Sequence, residues 1–141
     1  MEVSFFLSKS RQNNDFFQFF KFMSPTASAE LTKNKINNLI ANARPVSKED
    51  IWRDGRELGF ADNAIRVIEK RYLVRNEAGE VVETPKGMFV RIARALAEVE
   101  AHYGATVEEV TKWEQEFYGV LSRFEFTPAG RTITNAGAPT R

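Results

Sequence analysis

The stretch that most constrains this chain is residues 84–124, "TPKGMFVRIARALAEVEAHYGATVEEVTKWEQEFYGVLSRF". Thr84 is an N-cap residue, and Pro85 stands at the first helical position, where its missing N–H costs nothing. Phe89, Ile92, Leu96, Val99 and Tyr103 then recur at alternating spacings of three and four, the period of one helix face. Gly104 closes that helix. Thr106 and Glu109 form a capping box that opens the next one. Its expected buried stripe is Val110, Trp113, Phe117, Val120 or Leu121, and Phe124. Two amphipathic helices joined by a short turn must bury their faces against further helices, so the expected fold class is all-α.

The flanking sequence supplies the partners. Ser47 with an acid three residues later, Asp50, predicts a short helix running to Leu58 and stopping at Gly59. In "ADNAIRVIEKRYLV" Asp62 is the expected cap, and Ile65, Ile68, Tyr72 and Leu73 sit at helical spacing. "RNEAGEVVE" carries turn chemistry around Ala78-Gly79, and a hairpin-like turn is expected over residues 75–83. Upstream, "SPTASAELTKNKINNLIANA" predicts a helix over about residues 28–42, with Leu31, Ile36, Leu39 and Ile40 inward and Pro45 beyond it. The expected architecture is four to five packed helices and an irregular C-terminal loop. It divides into a Phe-rich N-terminal extension (1–23), a helical domain (24–126) and a Gly/Pro/Thr loop (127–141).

Composition narrows the chemistry. The 141 residues suffice for one domain with one core, and 43% apolar with 28% charged residues fits a globular chain. A formal net charge of +1 gives no strong pull toward nucleic acid or an anionic membrane. The chain has no cysteine, which excludes disulfides, thiolate catalysis and Cys-ligated metal within it. His102 is the one histidine, so neither a usual zinc site nor a supported Ser-His-Asp triad is available. His102 itself reads as a surface residue near a helix C-terminus. No apolar run reaches the length of about 18 residues that a membrane helix needs.

Three segments admit more than one reading. Residues 1–23 hold seven of the twelve phenylalanines. They read as an amphipathic membrane anchor, as rings docked on the core, or as residues upstream of a true start at Met23. Arg66, Lys70, Arg71 and Arg75 on one helix suit phosphate contacts and a small nucleic-acid-binding protein, or simply a solvated face. "TPAGRTITNAGAP" offers the hydroxyls of Thr127, Thr132 and Thr134, close backbone approach at Gly130 and Gly137, and the charge of Arg131. It suits a phosphate or sugar, or it is a surface loop; it matches neither the Walker loop nor the dinucleotide fingerprint.

"ADNAIRVIEKRYLVRNEAGEVVETPKGMFVRIARALAEVE" followed by "FEFTPAGRTITNAGAP" resembles the N-terminal helical region of the large, catalytic chain of ribonucleotide reductase. The form it looks most like is the adenosylcobalamin-dependent class II enzyme. That family has a helix ending in "KRYL", a turn, then "G-E-x-x-E-T-P" opening a helix with "R-x-A", an acidic-aromatic helix and a loop ending in "N-A-G". The chain follows this order from about Phe60 to Pro139. No single motif carries the resemblance; the ordered set does.

The resemblance implies a helical domain that leads into a ten-stranded α/β barrel bearing the redox cysteines. A cysteine-free chain is then expected to be inactive alone. Its implied role is to brace the barrel and to hold a loop beside the ribonucleotide. In the family the loop pattern is "S-P-T-L-x-N-A-G", and here it reads "G-R-T-I-T-N-A-G". Thr132 and Asn135 keep the family residue, and Gly130 stands where a serine is common, so these three are the implied substrate-side positions. The implied partner is a barrel-containing chain meeting an apolar patch around Phe124 and Phe126. The implied cofactor of the complete enzyme is adenosylcobalamin, with none bound by this chain alone. The implied location is cytoplasmic, with neither nucleic acid nor membrane as a partner.

Overall fold

The computed structural model describes residue 40 and residues 43–139 of the chain. These contain five helices: α1 (Lys48–Glu57), α2 (Asp62–Arg71), α3 (Pro85–Ala101), α4 (Val107–Ser122) and α5 (Gly130–Asn135). The only strand-like pairing among the described residues is one antiparallel bridge between Arg75 and Val81. The all-α expectation therefore holds. The helix expected over residues 28–42 lies outside the described residues except for Ile40, and so does the Phe-rich start.

The capping chemistry explains where most helices begin. Ser47 Oγ accepts from the Asp50 N–H at 3.1 Å and opens α1. Thr84 Oγ1 accepts from the Gly87 N–H at 3.2 Å, with Pro85 first in α3. Thr106 and Glu109 satisfy each other's backbone N–H groups at the start of α4. Asp62 departs from expectation. It is the first residue of α2 rather than its cap, which falls on Ala61 with no side-chain bond. The Asp62 carboxylate faces Arg56 of α1 instead, at 3.3 Å.

The core is one cluster: Ile51 of α1, Ile65 and Ile68 of α2, Leu73, Met88, Phe89, Ile92 and Ala93 of α3, and Leu121 of α4. Each buried Ile, Leu, Met or Phe contributes about 1.5–3 kcal/mol of transfer free energy. α1 and α2 approach so closely that a Cβ on Gly55 would lie 2.7 Å from Ile65 Cγ1.

The expected apolar stripes of α3 and α4 are buried only in part, with Val110 and Leu121 of α4 inside. Phe89 and Ile92 are buried as expected, but Leu96, Val99 and Tyr103 are exposed. The inward side of α3 there is carried by Ala97, which lies off the expected stripe. Trp113 is likewise largely exposed and stacks on Phe117. Phe124 takes a left-handed backbone (φ 56°) just past α4, which turns its ring edge-on to Phe60 at 4.9 Å and to Phe89 at 6.3 Å. The Arg75–Val81 bridge forms the expected hairpin-like turn, with Gly79 at φ 82°. His102 caps the end of α3 and is exposed, as expected.

Candidate functional site

The C-terminal segment is held by a charged cluster inside the domain. Glu83 ends the hairpin, and Arg91 lies on the second turn of α3; both are almost wholly buried. Glu83 Oε1 accepts from Arg91 Nη2 at 3.0 Å, and Oε2 accepts from Arg91 Nε at 3.1 Å. Oε1 also accepts from the Val74 N–H at 2.8 Å, which fixes the hairpin's first arm to α3. The remaining donors of Arg91 reach the other way. Nη2 donates to the Ile133 carbonyl at 3.1 Å, and Nη1 donates to the Ala136 carbonyl at 2.5 Å. A buried guanidinium requires this degree of satisfaction, because an unpaired buried charge costs several kcal/mol.

The segment expected to be an irregular loop thus contains α5, a helix of six residues, clamped to α3 through its carbonyls. Ile133 and Ala136 pack against the main core. Gly137, at φ 65°, lets the chain turn against α3: a Cβ there would lie 3.0 Å from Arg91 Cγ and 3.1 Å from its carbonyl oxygen. Beyond it, Ala138 joins a second cluster with Ile40, Val74 and Val82.

With Ile133 and Ala136 inward, α5 turns its other face toward the end of α2. Gly130, Arg131, Thr134 and Asn135 border a shallow hollow of about 430 Å³ whose opposite wall is Arg71 and Tyr72. Gly130 lies beside Tyr72 at the rim of this hollow, where a Cβ would make an ordinary contact of 3.5 Å with Tyr72 Oη. Of the three positions singled out from sequence, Gly130 and Asn135 come together at this hollow, and Thr132 does not border it. Thr134 Oγ1 is engaged locally, donating to the Gly130 carbonyl at 2.9 Å. Thr127 is exposed and apart from the hollow.

Sequence reasoning assigns no role to Glu83 or Arg91, although both fall within the quoted motifs "EVVETP" and "RIA". The signal is present: an acid and an arginine eight residues apart, each set among core positions such as Val82, Met88 and Ile92. No group of three or more metal-ligating side chains occurs among the described residues.

A family model, "Ribonucleotide reductase, all-alpha domain", matches residues 58–141. That covers α2 to α5, the hairpin and the clamp. The chain belongs to the ribonucleotide reductase all-alpha domain family. The alpha subunit of ribonucleoside-diphosphate reductase from Treponema pallidum is 34% identical over 84 residues, 60% of this chain and 9% of that protein. The large subunit from Trypanosoma brucei brucei is 33% identical over 104 residues, 71% of this chain and 11% of that protein. A vitamin B12-dependent ribonucleoside-diphosphate reductase from Thermoplasma acidophilum is 49% identical over 47 residues, 33% of this chain and 6% of that protein. The chain therefore spans only 6–11% of the length of these relatives. No solved structure gives a significant match. α1 lies outside the matched residues, yet it packs Ile51 into the same core.

Proposed function

We propose that this all-alpha domain works as the helical part of a ribonucleotide reductase large chain, bracing the catalytic barrel and holding residues 127–137 beside the ribonucleotide. The observation that carries this reading is the Glu83–Arg91 clamp. A buried ion pair that spends two donors on the carbonyls of Ile133 and Ala136 fixes the position of a terminal segment that has little core of its own. Such fixing suits a segment that must present backbone and small side chains at a set place. Gly130 and Asn135 on the open face of α5 are the proposed substrate-side positions, with Thr132 a third on the segment's other side.

The domain holds no cysteine, so the redox chemistry belongs to the barrel. Phe126, 60% exposed, and Phe124, 43% exposed, are the proposed apolar contact with it. Adenosylcobalamin is the proposed cofactor of the assembled enzyme, and the B12-dependent relatives support it. Among the described residues no helix is long and apolar enough to cross a membrane, and a cytoplasmic setting is proposed.

The test is reconstitution. The chain is mixed with the barrel-containing polypeptide, and reduction of ribonucleoside diphosphates is measured with and without adenosylcobalamin. Activity that needs both polypeptides supports the reading, and a requirement for adenosylcobalamin supports the class. A barrel fully active without the chain overturns the bracing role.

A further inference from the structure

An apolar surface flanks the turn between α3 and α4. Leu96, Val99 and Tyr103 follow Ile92 at spacings of four, three and four, so they share its face of α3. Ile92 is sealed in the core, while the other three are exposed among the described residues. α4 leaves the same turn and packs along α3, with Val107 and Trp113 exposed. Trp113 stacks on Phe117, which in turn packs against the core. The core is therefore continued on both helices by apolar side chains that nothing described covers.

The sequence ahead of the described residues has the opposite need. Phe16, Phe17, Phe19, Phe20 and Phe22 fall within one short stretch. An aromatic side chain buries about 150–250 Å². Five of them ask for cover of about 1,000 Å², more than the patch of roughly 300–600 Å² that a soluble monomer leaves bare.

Ile40 shows where this part of the chain joins the fold. It is buried with Val74 and Val82, and Ala138 packs against them. The adjoining Gly137 lies on α3, since a Cβ there would stand 3.2 Å from Ala95 Cβ. Ala95 precedes Leu96 and sits one turn before Val99. The chain thus enters beside the helix that carries the exposed face. About 18 residues separate Phe22 from Ile40, a length that spans about 27 Å as helix and about 60 Å extended. The 17 residues of α3 are about 26 Å long, so the stretch reaches the turn in either form.

Charge selects this surface over the other apolar one. Residues 1–39 carry Lys9, Arg11, Lys21, Lys33 and Lys35 against Glu2, Asp15 and Glu30. Residues 96–117 carry Glu98, Glu100, Glu108, Glu109, Glu114 and Glu116 against Lys112. The exposed Val67 of α2 is instead bordered by Arg66, Lys70 and Arg71, which repel a cationic stretch.

We infer that residues 16–22 dock on the surface formed by Leu96, Val99, Tyr103 and Trp113 of the same chain, as an aromatic strap over the turn end of α3 and α4. The inference does not rest on the proposed function, and its test needs no second polypeptide.

Phe19→Cys gives the full chain its sole cysteine, which carries a nitroxide label while the other four phenylalanines of the stretch remain. The expected result is loss of the amide resonances of Val99, Tyr103 and Trp113, with recovery when the nitroxide is reduced, and full intensity at Val67 and Lys70 throughout. Val99→Asp, at a position 45% exposed, abolishes the loss; Val67→Asp, at one 47% exposed, leaves it unchanged. A second measurement carries the test if Val99→Asp does not fold. Trp52→Phe leaves Trp113 as the one tryptophan. Its quenching by acrylamide is expected to be weak, and to rise several-fold when Phe16→Ser and Phe20→Ser are added. Intensities that the label does not change overturn the inference, as does quenching that the serine substitutions do not change. Loss of the same resonances only when a labelled chain is mixed with a separate isotope-enriched chain overturns it in favour of a second copy. Co-sedimentation with phosphatidylcholine vesicles while Trp113 stays readily quenched overturns it in favour of a membrane anchor.

Discussion

Arg91 and Glu83 form an ion pair closed off from water, with two hydrogen bonds of 3.0 and 3.1 Å between them, and Arg91 spends its other donors on the carbonyls of Ile133 and Ala136. The pair therefore links three pieces of chain: the hairpin through Val74, α3, and the segment around α5. Arg91→Met leaves the Glu83 carboxylate buried and without its charge partner. Such a loss costs about 3–5 kcal/mol. The expected outcome in urea denaturation is a loss of that size, or a chain that no longer folds. Replacing both residues, Glu83→Leu with Arg91→Met, removes the buried charge altogether and costs less than Arg91→Met alone. In the double variant the carbonyls of Ile133 and Ala136 still lack their donor, so amide exchange over residues 129–138 accelerates while the core stays protected. A double variant less stable than Arg91→Met contradicts the pair's role.

A second prediction separates two kinds of glycine. Gly55 has ordinary helical backbone, but a Cβ there would lie 2.7 and 2.8 Å from Ile65 Cγ1 and Cδ1, side-chain atoms in the sealed core. Gly55→Ala forces α1 away from α2 and costs about 1–3 kcal/mol by overpacking. Gly79 has open space around it and φ 82°, so Gly79→Ala carries only the left-handed strain of about 1–2 kcal/mol. The discriminating measurement is Ile65→Val introduced beside each. It relieves Gly55→Ala in part and adds its own cost unchanged to Gly79→Ala, as distant sites do.

Capping boxes, proline at the first helical position and glycine stops are local chemistry, so Ser47, Thr84, Thr106 and the ends at Gly59 and Gly104 are legible from the amino-acid order alone. What is not legible depends on where other elements stop. The stripe from Phe89 to Tyr103 has one unbroken period, yet its outer half stays exposed and Ala97 is buried instead. Asp62 has cap chemistry, and the neighbouring Arg56 of α1 takes its carboxylate instead. The candidate site shows the same split. Gly130, Thr132 and Asn135 stand out through a resemblance in order and spacing. Which of them share a hollow depends on Arg91 anchoring Ile133 and Ala136 inward, a contact across more than forty residues.

The pH response follows from two glutamates on α4 with opposite signs. Hydrogen bonding to the backbone and side chain of Thr106 holds the Glu109 carboxyl below its ordinary value. Its contribution is complete above the unfolded-state pKa and is lost as pH falls through the lower folded-state pKa. Burial pushes the Glu114 carboxyl up, against the opposing charge of Arg94. Glu114 therefore opposes folding at neutral pH, and that opposition is relieved as pH falls through its raised folded-state pKa. Glu114→Gln is expected to be more stable than the parent at pH 7, with the difference shrinking on acidification. Glu109→Gln is expected to be less stable at pH 7, with the difference also shrinking at low pH. Urea midpoints of the three proteins from pH 7 to pH 3 check both signs, and parallel curves refute the assignment.

Gly130 gives the last prediction, which joins the fold to the proposed function. A Cβ at this position meets only Tyr72 Oη at 3.5 Å and Tyr72 Cε1 at 3.8 Å, both ordinary contacts. The position is exposed, so Gly130→Ser changes stability by no more than about 0.5 kcal/mol. The new hydroxyl stands on the rim of the hollow shared with Arg71 and Asn135. One added hydrogen bond to a bound ribonucleotide is worth about 1 kcal/mol, which lowers KM about fivefold at constant kcat if bound ground state and transition state gain alike. Asn135→Ala removes a polar group from the same rim and raises KM in the opposite direction. Steady-state kinetics of the two variants in the reconstituted enzyme decide the matter. Opposite shifts in KM with little change in kcat place α5 against the substrate, and two variants that match the parent leave α5 a structural strap on α3.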